Sequence, residues 1–293
     1  FNSAMTVTLA NKYLSAQLHL KGAELKSLKE QSTNTEYIWQ SDPAFWTGAA
    51  PILFPIIGGL KDNTYYFEGK PYNMPSHGFV RNKEWKVVET NAIKAIFSTT
   101  SDVETRMMYP WEFELRAIYE LVNNSIKISY EVLNKSTNGM YFSIGSHPAF
   151  NLPFAGGYTE HYYVEFSEEE YLERYFFKNG LHLNKTEPIF DNCKQIYARK
   201  NLFDRGPIIF KNPKSREFTL RSSQKSKHIK VFTDDISHLA LWAAPKAPFF
   251  CIEPWLGIPD NVDTDQNFPT KEGLINLAPE TTFMTSYSIS INS

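Results

Sequence analysis

The sequence predicts an all-β fold, a large antiparallel β-sandwich. Three observations point there. Apolar residues recur with period two along most of the chain, helical periodicity is nearly absent, and turn signals return at short intervals. Leu14, Ala16, Leu18 and Leu20 alternate with polar residues before a Lys-Gly turn at 21–22. Phe113, Leu115, Ala117, Tyr119 and Leu121 alternate in the same way up to Asn123-Asn124, and Ile126, Ile128, Tyr130 and Val132 resume the pattern, which predicts a hairpin with one buried face. The segments 217–223, 227–233 and 286–292 carry the same alternation. Only two stretches suggest short helical turns: 41–46, where Ser41 or Asp42 is a candidate cap, and 167–175. No linker, repeat or low-complexity block interrupts the series. The expectation is one domain over 5–293, with the Phe-Asn-Ser-Ala stretch ahead of Met5 reading as a tag remnant.

Bulk properties exclude several functions. The chain has 293 residues, 42% hydrophobic and 21% charged, the composition of an ordinary globular protein. A net charge of −2 with no basic tail or stripe argues against a nucleic-acid partner. The most apolar stretch, 48–60, holds Pro51 and Pro55 and falls short of the roughly 20 residues a membrane span needs. Two cysteines, Cys193 and Cys251, give neither a disulfide framework nor metal-ligand spacing, which suits a reduced, cytoplasmic setting. The 15% aromatic content suits a β-rich core and is compatible with a sugar-binding surface. A Gly-rich phosphate cradle, a paired-His motif and a Gly-x-Ser-x-Gly elbow are all missing, so nucleophilic hydrolysis has no support and the sequence offers no evident site for a metal or cofactor.

Three segments place acid–base groups in loop-like, aromatic contexts. In "MPSHGFVR" (74–81), Pro75 and Gly78 bracket His77 and put it at a turn, with Arg81 following as a fixed positive charge. In "SIGSHPAFNLP" (143–153), Pro148 pushes His147 toward an extended or turn conformation beside Phe150. A histidine held there is a reasonable general acid, because its reference pKa lies near neutrality. In "FFCIEPWLG" (249–257), apolar Phe249, Phe250 and Ile252 surround Glu253 and would raise its pKa by desolvation. Period two places Phe250 and Ile252 on one face and Cys251 and Glu253 on the other. The local pattern leaves Glu253 as either a buried base or a strand-end carboxylate facing water.

Together with "KGAELKSL" (21–28), "EYIWQSDPAFWTGAAPILFPIIG" (36–58), "IFKNPKSREFTL" (209–220) and "KEGLINLAP" (271–279), these segments cover nearly the whole chain. In this order they resemble the galactose mutarotase (aldose 1-epimerase) family, in its bacterial galactose-mutarotase-like branch. The resemblance implies a β-supersandwich and cofactor-free interconversion of the α and β anomers of a sugar. His147 is implied as the acid at the ring oxygen, Glu253 as the base at the anomeric hydroxyl, and His77 as a substrate-holding residue. Pro254 is expected to end the strand, with Trp255 walling the site and Trp255, Phe150 or Trp46 stacking on the sugar. Where the family usually carries an arginine and an aspartate, this chain has Gly59 and Gly206. Asp204, Lys61 and Arg81 are the candidate replacements, and Lys61 with Arg81 is a candidate phosphate-binding pair. The expected partner is therefore a small sugar (galactose, glucose or a hexose phosphate). A sugar-binding protein with little turnover is the competing expectation, and the expected assembly is a monomer or weak homodimer.

Overall fold

The computed structural model describes residues 5–292; the stretch read as a tag remnant lies outside them. The expected alternation becomes sheet. A nine-stranded antiparallel sheet runs in the order Gln195–Tyr197, Tyr162–Phe166, Glu217–Ser222, His228–Thr233, Thr282–Asn292, Ser125–Asn134, Phe113–Val122, Lys94–Thr100, Lys86–Thr90. Its central hairpin turns at Asn123-Asn124 and pairs Ile126 with Leu121 and Ile128 with Tyr119, as the sequence pattern requires. Asn123 takes a left-handed φ of +52°, a conformation asparagine tolerates better than most side chains.

A six-stranded sheet packs against it. Ile208–Lys211, His238–Trp242, Phe249–Leu256, Ile144–Ser146 and Ile52–Leu53 lie side by side, and Ala149–Asn151 also pairs with Phe249–Leu256. The shared core includes Phe113, Leu115, Ile128, Leu220, Phe210, Leu239, Leu241, Phe250 and Ile252. Each large side chain buried there is worth roughly 1.5–3 kcal/mol relative to exposure. Smaller sheets complete the molecule: Thr6–Ala10, Leu14–His19 and Leu25–Glu30 form one, and Thr64–Phe67 with Lys70–Asn73, Met140–Phe142 with Ile275–Leu277, and Glu173–Lys178 with Leu181–Pro188 form two-stranded pairs.

The helical expectations fare unevenly. The 41–46 stretch makes one turn only, in which the Asp42 carbonyl accepts from Phe45 and Trp46 at 3.0 Å and its side chain accepts from Ala44 at 2.9 Å. The 167–175 stretch is not helical; its end joins the strand Glu173–Lys178, because Arg174 and Tyr175 pair with Glu187 and Thr186. The α-helix, Val103–Met108, comes where periodicity is too short to register. It is nucleated by a reciprocal cap in which Asp102 accepts from the Thr105 amide and Thr105 accepts from the Asp102 amide, both at 2.8 Å.

Candidate active site

Both faces of the Phe249–Leu256 strand are buried, so each residue must find apolar or paired surroundings. Phe250 and Ile252 enter the main core. Cys251, Glu253 and Trp255 point to the opposite face, together with Ala240 and Trp242 of the neighbouring strand. The strand does not end at Pro254 as expected; it runs to Leu256, with Pro254 paired to Leu239. A proline is tolerated there because the ladder on its other side is interrupted. Ala149 pairs with Cys251 and Gly145 with Trp255, and the same register carried between them sets His147 opposite Glu253. Pro148 and Pro254 supply no amides across that gap. The strand edge opens, and the His147 amide instead donates to the carbonyl of Pro51 at 3.1 Å.

The register explains the central contact. Nε2 of His147 lies 3.3 Å from Oε2 of Glu253. Glu253 is 1% exposed and His147 8%. On the far side of Glu253 the cross-strand neighbour is Ala240, whose methyl group adds little bulk. Trp46 stacks on the His147 ring with centroids 4.7 Å apart and planes 30° apart, and Trp242 meets the same ring edge-on at 5.5 Å. His77 completes the group, its ring 5.8 Å from that of His147 and 6.2 Å from that of Trp255. Gly145 makes room for Trp255, since a Cβ there would come within 2.7 Å of the indole.

His77 sits at φ +64°, followed by Gly78 at φ +71°. Any side chain at 78 would meet the Phe54 carbonyl oxygen at 2.0 Å, so glycine is required and the turn that presents His77 is fixed.

Burial dominates the electrostatics. It pushes the Glu253 carboxyl well above the usual carboxylate range; the nearby Trp255 N–H tempers this without making a direct hydrogen bond. Burial also pulls His147 down to about 3, helped by the charge of Arg81. His77 is lowered well below its ordinary value, first by burial, then by His147 and Arg81. Burial thus favours the uncharged forms of both imidazoles and of the Glu253 carboxyl. Nδ1 of His147, Oε2 of Glu253 and Nε1 of Trp255 are buried without a hydrogen-bond partner. Buried polar atoms are normally satisfied, so three unsatisfied ones around one dyad mark a place for a polar ligand.

The remaining predicted site residues separate. Arg81 belongs near the dyad: it donates to the Ser76 carbonyl at 3.0 Å, and its charge acts on both histidines. Trp255 is buried among Leu53, Ile57, Ile209, Ala240 and Ile258, with its ring in that cluster. Phe150 is a correction. It pairs with Phe250 and is fully buried in the main core, on the face away from Glu253, so it cannot stack on a ligand there. Asp204 is exposed and lines a cleft of about 690 Å³ with Phe203, Phe249 and Lys246, a cleft that neither His147 nor Glu253 lines. Lys61 is held by its backbone, its amide donating to Asp260 at 3.0 Å and its carbonyl accepting from Gln266 at 2.8 Å.

Gly59 and Gly206 face the same element. The nearest atom to a Cβ at Gly59 is the Gly180 carbonyl oxygen at 3.6 Å, and at Gly206 it is Cβ of Phe177 at 4.0 Å. Both belong to the Glu173–Lys178/Leu181–Pro188 hairpin, whose Tyr175 and Phe177 pack against the Trp255 cluster. Sequence reasoning missed this hairpin, Trp242 and the position of Cys251 beside the dyad. The alternation of Cys251 with Glu253 signalled the last.

Comparison with known proteins gives a consistent result. The sequence profile described as Aldose 1-epimerase matches residues 5–268. The chromosomal protein LacX of Lactococcus lactis subsp. lactis is 36% identical over 98% of this chain and 99% of its own length. The crystal structure of a galactose mutarotase related enzyme from Lactobacillus acidophilus superposes with a TM-score of 0.93 at 32% identity, covering 99% of this chain and 98% of the other. A galactose mutarotase-like protein from Lactobacillus casei ATCC 334 gives 0.92 at 28%, over 98% and 100%. Sequence and fold agree, and the chain belongs to the aldose 1-epimerase family, among its galactose mutarotase-like members.

Proposed function

We propose that residues 5–293 act as one unit that interconverts the α and β anomers of a hexose such as galactose or glucose. The observation that carries this reading is the buried His147–Glu253 contact, 3.3 Å long and set among polar atoms without hydrogen-bond partners. Ring opening needs one proton removed from the anomeric hydroxyl and one delivered to the ring oxygen, two oxygens on the same carbon. An acid and a base side by side suit that demand. The dyad's proton moves to His147, leaving Glu253 as carboxylate. The anomeric O–H gives its proton to Glu253, the C1–O5 bond breaks as C1=O1 forms, and O5 takes the proton from His147. After rotation about C1–C2, O5–H returns its proton to His147 and attacks the other face of C1, while Glu253 reprotonates O1. The dyad ends as it began. Each positioned acid or base contributes typically about 10²- to 10⁴-fold. His77 and the Trp255 N–H are assigned to substrate hydroxyls, and Trp46 holds the His147 ring in place.

The deciding experiment is anomer exchange followed by NMR saturation transfer or polarimetry on galactose and glucose, wild type against Glu253→Gln. Rapid exchange that the variant loses supports the reading; equal rates in both overturn it. Gly59 and Gly206, both facing an aromatic hairpin in place of a charged group, favour a second reading as a sugar-binding protein. Saturable sugar binding with no rate above buffer would select that reading. Hexose 6-phosphates are poorer candidates than free hexoses: Arg81 stands near the dyad, and no described contact brings Lys61 to it.

A further inference from the structure

Three different ligand atoms meet where Cys251 joins the dyad. An imidazole nitrogen of His147, the Sγ of Cys251 and a carboxylate oxygen of Glu253 all lie within 4.8 Å of one another. Cys251 and Glu253 are two residues apart on one strand and share a face, and His147 comes from the opposing strand edge. Cys251 is a free thiol, fully buried. Nδ1 of His147 and Oε2 of Glu253 have no hydrogen-bond partner. The proton transfers above use two of these three groups and leave the thiol without a task.

We propose that His147, Cys251 and Glu253 form a binding site for a thiophilic divalent cation of the zinc type, and that its occupancy shuts off the dyad. The binding claim stands by itself; the inhibition claim rests on the function proposed above. Zinc takes cysteine sulfur at about 2.3 Å, histidine nitrogen at about 2.0–2.1 Å and carboxylate oxygen at about 2.0–2.2 Å, and in open sites it keeps a fourth position for water or substrate. Drawing three atoms from within 4.8 Å of one another onto such an ion takes shifts on the order of an ångström. On ligation the thiol and the carboxyl release their protons to solvent; nothing is oxidised or reduced. A magnesium ion is a poor occupant, because it prefers octahedral oxygen ligands and dehydrates reluctantly. A cation on His147 and Glu253 takes the lone pairs that the proton transfers require. Linear spacing hides this site, since His147 lies in the gap between two short strands, 104 to 106 positions away from Cys251 and Glu253 in the sequence.

The test uses the full chain titrated with cobalt(II) as a spectroscopic stand-in for zinc, in wild type, Cys251→Ser, Cys251→Ala and Cys193→Ser, with folding of each checked by thermal melting. The expected result is a thiolate-to-cobalt charge-transfer band that saturates near one equivalent in wild type and Cys193→Ser and is lost in both Cys251 variants. Zinc should stop anomer exchange, chelation should restore it, and the inhibition constant should rise at least tenfold in the Cys251 variants, each measured against its own metal-free rate. Magnesium at the same concentration should do nothing. No band, a band that survives loss of Cys251, or one that depends on Cys193 would overturn the proposal. A wild type with the Cys251-dependent band but no exchange after chelation would retain the cation site and remove the epimerase reading instead.

Discussion

The amide of Gly58 donates to Nδ1 of His77 at 3.1 Å, and the amide of His77 donates back to the Gly58 carbonyl at 2.9 Å. A ring nitrogen that accepts cannot carry a proton, so the proton of neutral His77 sits on Nε2. With its pKa held well below the ordinary value, His77 should show this single tautomer from pH 5 to 8 in long-range ¹H–¹⁵N NMR. An imidazolium signature above pH 6 would refute it.

Glu253→Gln keeps the shape of the side chain and removes the base. Anomer exchange should fall by about 10²- to 10⁴-fold. The melting temperature should hold or rise, because an ionisable group in an apolar setting is replaced by a neutral one. A variant with wild-type turnover would remove Glu253 from the mechanism.

The pH profile follows from the proton that the proposed mechanism moves between His147 and Glu253. His147 is held down to about 3 and Glu253 well above its usual range, so the dyad holds one proton across the interval between. The rate should be flat through pH 6.5, falling on the acid side only as the dyad gains a second proton toward about 3, and on the alkaline side as it loses its proton. A limb in kcat/KM centred near 6.5 would show that a histidine titrates freely in the site.

Stability has its own pH signature, best read at His238. Burial holds this imidazole down to about 4. Its neighbours by charge are Glu272, Lys211, His182 and Lys271. The unfolded chain, titrating near 6.5, takes up more protons than the folded one between those two values. The contribution is therefore present above about 6.5 and drains as pH falls toward about 4, by roughly 3 to 4 kcal/mol at about 1.4 kcal/mol per pKa unit. The depressed His147 acts with the same sign, and the raised Glu253 with the opposite one. Urea melts of His238→Gln should show a shallower loss between pH 6.5 and 4.5 than wild type; parallel curves would contradict this.

Lys271 and Asp260 form a buried ion pair at 2.8 Å, with side chains 5% and 3% exposed. Asp260 also anchors the Lys61 amide and, through its own amide, the Gly59 carbonyl. Asp260→Asn strands a buried ammonium and should cost about 3–5 kcal/mol in chemical denaturation. A cost under about 1 kcal/mol would mean that the pair is solvated in solution.

Much of this was legible in the sequence because it depends on local periodicity. The Phe113–Val122/Ser125–Asn134 hairpin and the division of Phe250 and Ile252 from Cys251 and Glu253 follow from alternation alone. Whether the Glu253 face is buried depends on what the far chain lays over it: Trp46 from one loop, Tyr175 and Phe177 from a hairpin. Those contacts are long-range and leave no local mark. Phe150 faces the core although it is close to His147 in sequence, because one residue along a strand reverses the facing. The six-residue helix escaped notice because its cap, and no repeat, defines it.

The spacing between His147 and Glu253 comes from the repeat of a hydrogen-bonded sheet, interrupted by two prolines, and not from the loops above it. The hairpin that faces Gly59 and Gly206 can shift without moving His147 relative to Glu253, because the rungs of the ladder on either side of them, Gly145 with Trp255 and Ala149 with Cys251, fix that distance.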